Sequence, residues 1–417
     1  MRRGEKRQAA VGFILVTMTL DAIGFGLIMP VMPALLQEVS GGDIAEAALW
    51  AGLMTGGFAV MQFLFGPVLG NLSDRFGRKP VLLISIAVLT ADYIVLVLAG
   101  SIWLVFFARL VTGAASSTFG TATAYLADIS TPEQKARRFG LIGAAFGMGF
   151  VLGPALGGLL AEFGTRAPFV AAACVAGLNL VFGLVVLRES LPPENRRPFS
   201  LIRANPFGAF RHVGRLPGLR RYLGIYTLHE FGFFVFPVVW SYFAIARFGW
   251  TPGQLGLSLA LYGICFAVVQ GGLIGPVTAQ LGRHRAMMLG TICGTLALFL
   301  ISISSSGMLA LWLIPLSALG GFVIPALRAE LSDRVTVNQQ GELQGAMASL
   351  RAIAMIAAPL TFTSVFAAFT AEAAGFFWPG APFALAGLLN LGVLALLLTA
   401  PAAGENATVT ITSTTER

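Results

Sequence analysis

The sequence predicts an all-α integral membrane protein with twelve transmembrane helices. Hydrophobic residues make up 56% of the chain and charged residues only 11%, whereas a soluble domain carries roughly 25% charged residues. Twelve apolar runs are each long enough to cross a bilayer, which takes about 20 residues. Basic residues also concentrate in alternate loops, as expected for a chain with one orientation in the membrane.

The apolar runs form two sets of six, and the longest polar stretch of the chain separates the sets. The first set lies near residues 10–36, 47–69, 80–99, 102–127, 138–162 and 167–187, and the second near 222–246, 255–277, 285–304, 308–330, 342–369 and 376–400. The first run is too long for a signal peptide, which predicts a retained first helix. We predict an N-terminal bundle at 1–187, a cytoplasmic linker at 188–221 with a surface helix around 206–213, a C-terminal bundle at 222–400 and a disordered tail at 401–417.

The basic residues predict the orientation of the chain. With the N-terminus inside, the loops after the even-numbered spans face the cytoplasm, and they hold Arg75, Arg78, Lys79, Lys135, Arg137, Arg138, Arg283, Arg285, Arg334 and the arginines of the linker. The opposite loops hold only Arg166 and Arg247. This asymmetry places both termini in the cytoplasm. It also accounts for the net charge of +8 without a nucleic acid as partner.

A repeated loop relates the two halves of the chain. Residues 70–78, after the second span, read Gly-x3-Asp-Arg-x-Gly-Arg, and residues 275–283, after the eighth span, read Gly-x3-Ala-Gln-x-Gly-Arg. The glycines and the last arginine recur at one constant offset, while the second copy lacks the Asp-Arg pair. A repeated half of six helices predicts two pseudo-symmetric bundles with the substrate held between them, each bundle built from two inverted three-helix repeats.

Three motifs resemble those of the major facilitator superfamily. Residues 70–79 are similar to its loop signature, residues 140–158 read Gly-x8-Gly-x3-Gly-Pro-x2-Gly-Gly and resemble the signature of its exporters, and Arg109-x3-Gly113 resembles a third motif. Residues 20–30, 73–80 and 340–345 are also similar to the tetracycline exporters. Over nearly its whole length the chain resembles the twelve-helix drug:proton antiporters, and in particular the tetracycline/proton antiporter group.

The resemblance implies a major facilitator fold with a central cavity between the two bundles. It further implies proton-driven export of an amphipathic small molecule, with tetracycline as the leading substrate, across the bacterial inner membrane by alternating access. No cofactor is implied, tetracycline would travel as a metal chelate, and a monomer fits the family. The alternatives are an exporter of another drug or metabolite, and a non-transporting membrane receptor or scaffold on the same fold.

An enzyme is not indicated by the residues. The sequence shows no nucleophile–base pair and no phosphate loop, because its glycine-rich stretches lie within apolar spans. The three cysteines, Cys174, Cys265 and Cys293, lie in apolar runs without the spacing of metal ligands. We therefore expect no catalytic residue and no metal site.

Glycines on the fifth span predict a close helix contact. Gly149, Gly153 and Gly157 recur every four residues and so share one helix face. Small residues let two membrane helices approach closely, and Pro154 can bend the helix. These residues predict a helix-packing gate, with simple tight packing as the alternative for any one glycine.

The loop after the second span predicts a conformational switch. It carries Gly70, Asp74, Arg75, Gly77 and Arg78 at a helix end, and Asp128 closes the fourth span on the same side. The resemblance implies that Asp74, Arg78 and Asp128 form an ionic cluster that favours the outward-open state. The alternative is that these charges are loop anchors, with a surface pairing worth under about 1 kcal/mol.

Six ionisable residues lie well inside predicted spans, beyond their first and last turns: Asp21, Asp92, Arg109, His229, Glu230 and Arg351. Such groups are costly in a membrane and indicate a functional site. Asp21 and Glu230 suit proton carriage, because burial favours the neutral form of a carboxyl group. Arg109 can pair with Asp21 or hold an anionic substrate oxygen, and Arg351 can play the same part in the second half. We predict that these four groups and Asp92 couple transport to protons, while His229 is either a packed histidine or a proton relay.

Polar and aromatic side chains are predicted to line the substrate cavity: Gln62, Arg109, His229, Phe234, Trp240, Phe266 and Gln270. Aromatic rings suit a planar amphipathic drug, although an aromatic stripe such as that on the seventh span is also typical of a core. By resemblance, the positions of Asp21, Gln62, Asp92, Arg109 and Gln270 match positions that matter in the tetracycline exporters. Phe266 stands where some of those exporters have a histidine.

The chain departs from the exporters at three positions. Their essential aspartate on the ninth span aligns with Gly294, whereas Glu230 and Arg351 stand where the relatives are uncharged. The hypothesis is that Glu230 carries the proton, with Arg351 as its modulating partner. The alternative is a static buried pair that fixes the seventh and eleventh spans.

Overall fold

The computed structural model describes residues 3–200, 204–209, 218–372 and 374–399, and within them it contains twelve helices long and apolar enough to cross a membrane. This confirms the predicted fold class. The helices are α1 (Ala10–Ile28), α2 (Ile44–Phe76), α3 (Arg78–Leu98), α4 (Ile102–Ile129), α5 (Pro132–Phe163), α6 (Ala167–Val186), α7 (Arg220–Phe248), α8 (Pro252–Leu281), α9 (Arg283–Ile303), α10 (Gly307–Asp333), α11 (Gln340–Thr370) and α12 (Ala381–Leu398).

Several of these helices contain breaks. The run 10–36 was predicted as one span, but α1 ends at Ile28 and a separate short helix, Met32–Ser40, follows it. Pro30 lies in this break and Pro33 in the first turn of the next helix, and proline lacks the amide hydrogen that a continuous helix needs. Helix α4 is interrupted at residues 116–117, α7 at Phe234, and α8 contains a π-helical turn at Val269–Leu273.

Each half packs mainly as a bundle of its own. In the N-terminal half α1 contacts α5 and α6, α2 contacts α4, and α3 contacts α6. In the C-terminal half α12 contacts both α7 and α9, and α9 contacts α10. The main helix contacts between the halves join α2 to α11 and α5 to α8. The cavity expected from the resemblance would therefore lie between these two pairs of contacting helices.

The linker is held against the first half at the end of the molecule that carries the loops after α2, α4, α8 and α10, here called the basic end. The side chain of Asn71 on α2 donates to the carbonyl of Ser200 at 2.9 Å and accepts from its amide at 3.3 Å. The amide of Arg197 donates to the carbonyl of Asp74 at 3.0 Å. The predicted surface helix around 206–213 corresponds to a short 3-10 helix at Pro206–Ala209, whereas residues 210–217 and the tail 401–417 lie outside the described residues.

The repeated loop has the same backbone in both halves. Gly77 has φ 110° and ψ 165°, and Gly282 has φ 78° and ψ 161°. Both φ values lie in the region that favours glycine. Each glycine ends one spanning helix and begins the next, so the sequence repeat corresponds to a structural repeat.

Candidate transport pathway and coupling site

Helix α5 packs closely against α1 through the predicted glycines. A Cβ added to Gly149, Gly153 or Gly157 would lie 2.5, 2.7 and 2.2 Å from backbone atoms of α1. Only glycine fits at these positions, because real Cβ atoms essentially never come within 3.0 Å of another heavy atom. The stripe predicted as a gate is thus a contact within the N-terminal half.

A second glycine contact on α5 joins the two halves. A Cβ on Gly256 of α8 would lie 2.3 Å from the carbonyl oxygen of Pro154, and one on Gly158 would lie 2.7 Å from the carbonyl oxygen of Pro252. At the other interface, a Cβ on Gly52 of α2 would lie 2.0 Å from the hydroxyl of Thr363 on α11. All these residues lie in the helix halves away from the basic end. The two halves therefore close against each other at the end opposite to the basic loops.

Glycines nearer the basic end have open space instead. An added Cβ would meet no atom within 4 Å at Gly66 and Gly70 of α2, at Gly140, Gly143 and Gly147 of α5, or at Gly271, Gly272 and Gly275 of α8. Here the linker turn Pro206–Ala209 packs against both α2 and α11, and the ring of Phe207 meets that of Phe63 edge-on at 5.5 Å. The glycine contacts thus describe a pathway closed at one end and looser at the basic end.

Asp21 lies in a polar network inside the N-terminal half. The hydroxyl of Thr17 donates to the amide oxygen of Asn179 on α6 at 3.0 Å, and the amide nitrogen of Asn179 lies 3.5 Å from a carboxylate oxygen of Asp21. Thr118 on α4 lies on the same side of the network as this carboxylate. Thr17 and Asn179 are buried, at 0% and 1% exposure. Three helices therefore hold one carboxyl group, which is itself half-buried.

Asp92 and Arg109 form a buried ion pair between α3 and α4. Asp92 is 3% exposed, so it lies well inside the bundle despite its place near the end of a predicted span. From the sequence we expected Arg109 to pair with Asp21 or to bind a substrate oxygen. The pairing with Asp92 was not predicted. One sequence gives no rotation of α3 relative to α4, so it could not choose between the two aspartates.

Glu230 and Arg351 meet between α7 and α11, as the sequence hypothesis requires. Arg351 Nε lies 3.6 Å from Glu230 Oε2, and the Glu230 side chain is 8% exposed while that of Arg351 is 51% exposed. Tyr226, one turn before Glu230, lies in the field of Arg328 on α10 and of Arg351. Arg328 was not among the predicted site residues, because it lies close enough to the end of α10 to resemble a loop anchor.

The other predicted cavity residues divide into polar groups that bridge helices and rings that pack in the core. Gln62 donates to the hydroxyl of Ser116 on α4 at 3.0 Å, and Gln270 donates to the carbonyl of Gly321 on α10 at 3.1 Å. Phe266 packs against Phe233 and Tyr262 with ring centroids 5.7 and 6.0 Å apart. The two glutamines therefore brace α2 to α4 and α8 to α10.

Three predicted residues on α7 have different surroundings. Trp240 is 1% exposed, donates to Ser258 at 2.8 Å and packs against Phe236 and Phe383, which makes it part of the core in this state. Phe234 lies at the break of α7 and is half-buried. His229 is 5% exposed, and its Nδ1 has no hydrogen-bond partner among the described residues.

The predicted switch residues form a cluster at the basic end. Arg78 contacts Asp74 at 2.6 Å and Asp128 at 3.1 Å. Glu189, just after α6, accepts from the backbone amides of Arg78 and Lys79 at 2.8 and 3.2 Å and so caps α3. Arg75 is exposed and lies instead over the Phe76 ring. The described contacts of the cluster lie within the N-terminal half and its linker.

The C-terminal half has a matching ion pair that sequence reasoning missed. Arg283 pairs with Asp333, and these residues are 50 positions apart, as are Arg78 and Asp128. The signal was available, since Arg283 and Asp333 follow Arg78 and Asp128 at one constant offset. The second pair is the more exposed, with side-chain exposures of 41% and 64%.

Gly294 lies away from Glu230 in the structure. A Cβ at Gly294 would lie 3.6 Å from the amide nitrogen of Asn390 on α12, and one at Gly232 would lie 3.7 Å from the amide oxygen of the same residue. Two residues along an α-helix are rotated by about 200°. Glu230 therefore points to the opposite side of α7 from the neighbourhood of Gly294.

Comparisons with known proteins agree with this architecture. The tetracycline resistance protein, class C, of Escherichia coli is 39% identical over 373 residues, which cover 89% of this chain and 93% of that protein. The class G protein of Vibrio anguillarum is 35% identical, with coverage of 89% and 94%. The crystal structure of the human organic anion transporter MFSD10 (TETRAN) has a TM-score of 0.67 at 25% identity and covers 94% of this chain and 99% of its own.

A match to a family profile shows the superfamily to which the chain belongs. The profile described as Major Facilitator Superfamily matches residues 14–359, which span all of the first bundle and most of the second. Together with the twelve apolar helices, these similarities indicate a multi-pass protein of the bacterial inner membrane and a transporter rather than an enzyme. The chain belongs to the major facilitator superfamily.

Proposed function

We propose that this protein exports a tetracycline-like amphipathic drug across the inner membrane in exchange for protons. The observation that carries the proposal is that each half holds an acid without a close, buried ion-pair partner, Asp21 in the network of Thr17, Asn179 and Thr118, and Glu230 at 3.6 Å from the exposed Arg351. A carboxyl group within a membrane helix is costly to keep charged, and it takes up a proton when the pathway opens to an acidic side. Similarity to tetracycline resistance proteins over most of the chain supports the substrate class.

The finer parts of the proposal follow from the same residues. The proton is the coupling ion and no cofactor takes part, while tetracycline would be carried as a metal chelate. The basic end faces the cytoplasm with both termini, because basic loops are retained on that side. The looser packing at that end corresponds to an inward-facing state of a monomer. The ionic cluster around Arg78 acts as the switch, and the contact of Gly256 with Pro154 acts as the outer gate.

Inverted membrane vesicles with an imposed pH gradient test the proposal. Wild-type protein should take up tetracycline in response to the gradient, and Asp21→Asn and Glu230→Gln should each reduce this uptake at least tenfold. Glu162→Gln changes an exposed carboxylate at the end of α5 and is the matched control. Wild-type vesicles without gradient-driven uptake would refute the function, and full uptake by both variants would refute the assignment of the coupling groups.

Export of another drug or metabolite is the second candidate. It is favoured by a change in the intramembrane charges. Gly294 stands at the position on the ninth helix where the tetracycline exporters have an essential aspartate, whereas Arg351 and Glu230 add charges elsewhere. A resistance panel of tetracyclines, dyes and phenicols in cells expressing the chain separates the two candidates. Loss of tetracycline resistance in Asp21→Asn supports the first. A receptor or scaffold without transport predicts no resistance to any compound despite good membrane expression.

A further inference from the structure

A groove runs between α8 and α10 on the surface of the C-terminal half. At the closed end, opposite to the basic end, it contains a cavity of about 550 Å³, and a second cavity of about 490 Å³ lies deeper along the same two helices. Leu261 lines the first cavity and Ile264 the second, so the cavities follow one another along α8. The second cavity reaches the π-helical turn Val269–Leu273, and such turns inside α-helices are frequent at functional sites. The two cavities together are called the α8–α10 groove.

The α8–α10 groove faces the bilayer and not the transport pathway. Gly256 lies on the face of α8 that packs on α5, since a Cβ added there would lie 2.3 Å from the carbonyl oxygen of Pro154. Leu257 follows it directly and is turned about 100° away from that face. Leu257 is 64% exposed, and Trp312 on the facing helix is 75% exposed. Because the two halves are in contact at the closed end, these exposed apolar side chains lie against lipid.

The length of the groove matches the thickness of one lipid leaflet. Leu257, Ile264 and Val268 line it from α8, and all three are exposed on one helix face. The rise of an α-helix from Leu257 to Val268 is about 16 Å. One leaflet supplies half of a hydrocarbon core that is about 30 Å thick. An acyl chain can therefore lie along the groove from the closed end to the middle of the membrane.

The closed end of the groove carries a cation without a counter-ion. Arg247, near the end of α7, lines the first cavity, and its Nε donates to the carbonyl of Ser304 at 2.9 Å, but it has no ion pair within the described part of the chain. Arg166, the other basic residue of the loops at this end, is instead paired with Glu38 at 2.8 Å. Among the residues that the structure describes, no aspartate or glutamate lines either cavity. The groove therefore complements a negatively charged headgroup and offers no partner to a positively charged one.

The position of Arg247 along the membrane matches that of lipid headgroups. Helix α7 ends at Phe248, and Trp250 lines the same cavity as Arg247. Tryptophan is enriched at membrane–water interfaces, where its ring lies at the level of the headgroups. A guanidinium also presents a fork of N–H donors that matches phosphate oxygens. We propose that the α8–α10 groove binds one anionic phospholipid, with its phosphate at Arg247 and an acyl chain along α8 and α10.

Photo-crosslinking in nanodiscs tests this site by itself, which is necessary because the basic loops also attract anionic headgroups. The probes are phosphatidylglycerol and phosphatidylcholine with the same diazirine-bearing acyl chain, each added in a small amount to nanodiscs of unlabelled phosphatidylcholine. Peptide mapping should find about fivefold more phosphatidylglycerol than phosphatidylcholine on the α8 and α10 residues of the groove, as expected for one additional charge pair near the membrane surface. Arg247→Gln should abolish this preference and leave the adducts at the basic end unchanged. Arg247→Lys keeps the charge and should keep the preference, as should Arg166→Gln, which removes a cation that Glu38 already neutralises.

A second pair of variants tests the path of the acyl chain. Ile264→Trp fills the second cavity and should lower the groove adducts of both probes several-fold. Leu296→Trp adds the same ring at an exposed position of α9 outside the groove and should change neither. Melting curves identify any variant that fails to fold. Equal groove adducts of the two probes in the wild-type protein, an unchanged preference in Arg247→Gln, or unchanged adducts in Ile264→Trp would each overturn the proposal.

Discussion

Replacement of Gly256 by alanine should open the closed end of the pathway. The new Cβ would lie 2.3 Å from the carbonyl oxygen of Pro154 and 3.0 Å from the Cα of Gly158, and both of these are backbone atoms that cannot rotate away. An ordinary van der Waals contact is 3.4–4 Å, so α5 and α8 must separate by about 1 Å or more. The two helices belong to different halves, and such a separation is the movement that opens this end.

The size of the effect follows from the cost of overpacking. Adding a methyl group to a tightly packed contact costs about 1–3 kcal/mol. This cost falls on the closed state alone, because Gly256 and Pro154 part when the halves separate. A difference of that size changes the ratio of two states by roughly 5- to 150-fold. The variant should therefore populate a state in which the end opposite to the basic loops is open.

Distances between spin labels measure this change directly. Labels at Glu162 and Ser305, which are exposed in opposite halves at the closed end, are attached in a background without the native cysteines. Double electron–electron resonance should show a longer distance in Gly256→Ala than in the unsubstituted protein. A distance distribution identical to that of the unsubstituted protein would refute the reasoning.

Two other glycines on α5 supply matched controls. A Cβ at Gly147 meets nothing within 4 Å, so Gly147→Ala should leave both the distance and the melting temperature unchanged. Gly153 contacts α1 within its own half, with a Cβ distance of 2.7 Å to Gly26. Gly153→Ala should therefore lower the melting temperature without lengthening the label distance. Comparison of the three variants therefore distinguishes the effect of the contact between the two halves from the effect of packing within one half.

Three further predictions concern the polar groups. Asp92→Asn leaves the buried Arg109 without a counter-charge and should lower the free energy of unfolding by about 3–5 kcal/mol, measured as a lower melting temperature that the double variant with Arg109→Gln largely restores. Asn179→Ala leaves buried polar partners unsatisfied and should cost about 1–3 kcal/mol and slow gradient-driven uptake; a variant as stable and active as the parent would contradict this. Arg78→Ala should slow uptake more than Arg283→Ala, whose exposed pair is worth under about 1 kcal/mol; equal rates would contradict it.

Much of the fold could be predicted from the sequence because a bilayer imposes strong constraints on it. Each span must be long and apolar, and loop charges are asymmetric, so all twelve helices were located. The boundaries were less accurate where proline interrupts an apolar run, as at Pro30, because lipid-compatible composition continues across the break. Hydropathy indicates whether a segment is apolar enough to lie in a membrane. It does not indicate whether the helix is continuous along that segment.

The site was predicted in its residues but not in its pairings. The sequence identified the charges at Asp92, Arg109, Glu230 and Arg351 because a charge within an apolar span is rare. It left Arg109 with either Asp21 or a substrate oxygen as partner, because nothing in one sequence fixes the rotation of α4 relative to α1 and α3. It gave no role to Arg328, because a charge within two turns of a helix end resembles a loop anchor.

The orientation of Glu230 decides where a proton could act in the second half. Glu230 faces Arg351 on α11, whereas Gly294 on α9 faces Asn390 on α12, on the other side of α7. An acid restored at position 294 would therefore reach Asn390 and not Arg351. We predict that Gly294→Asp will not recover the gradient-driven uptake lost in Glu230→Gln. Recovery in this double variant, measured in inverted vesicles, would show that coupling needs an acid anywhere in the bundle rather than one beside Arg351.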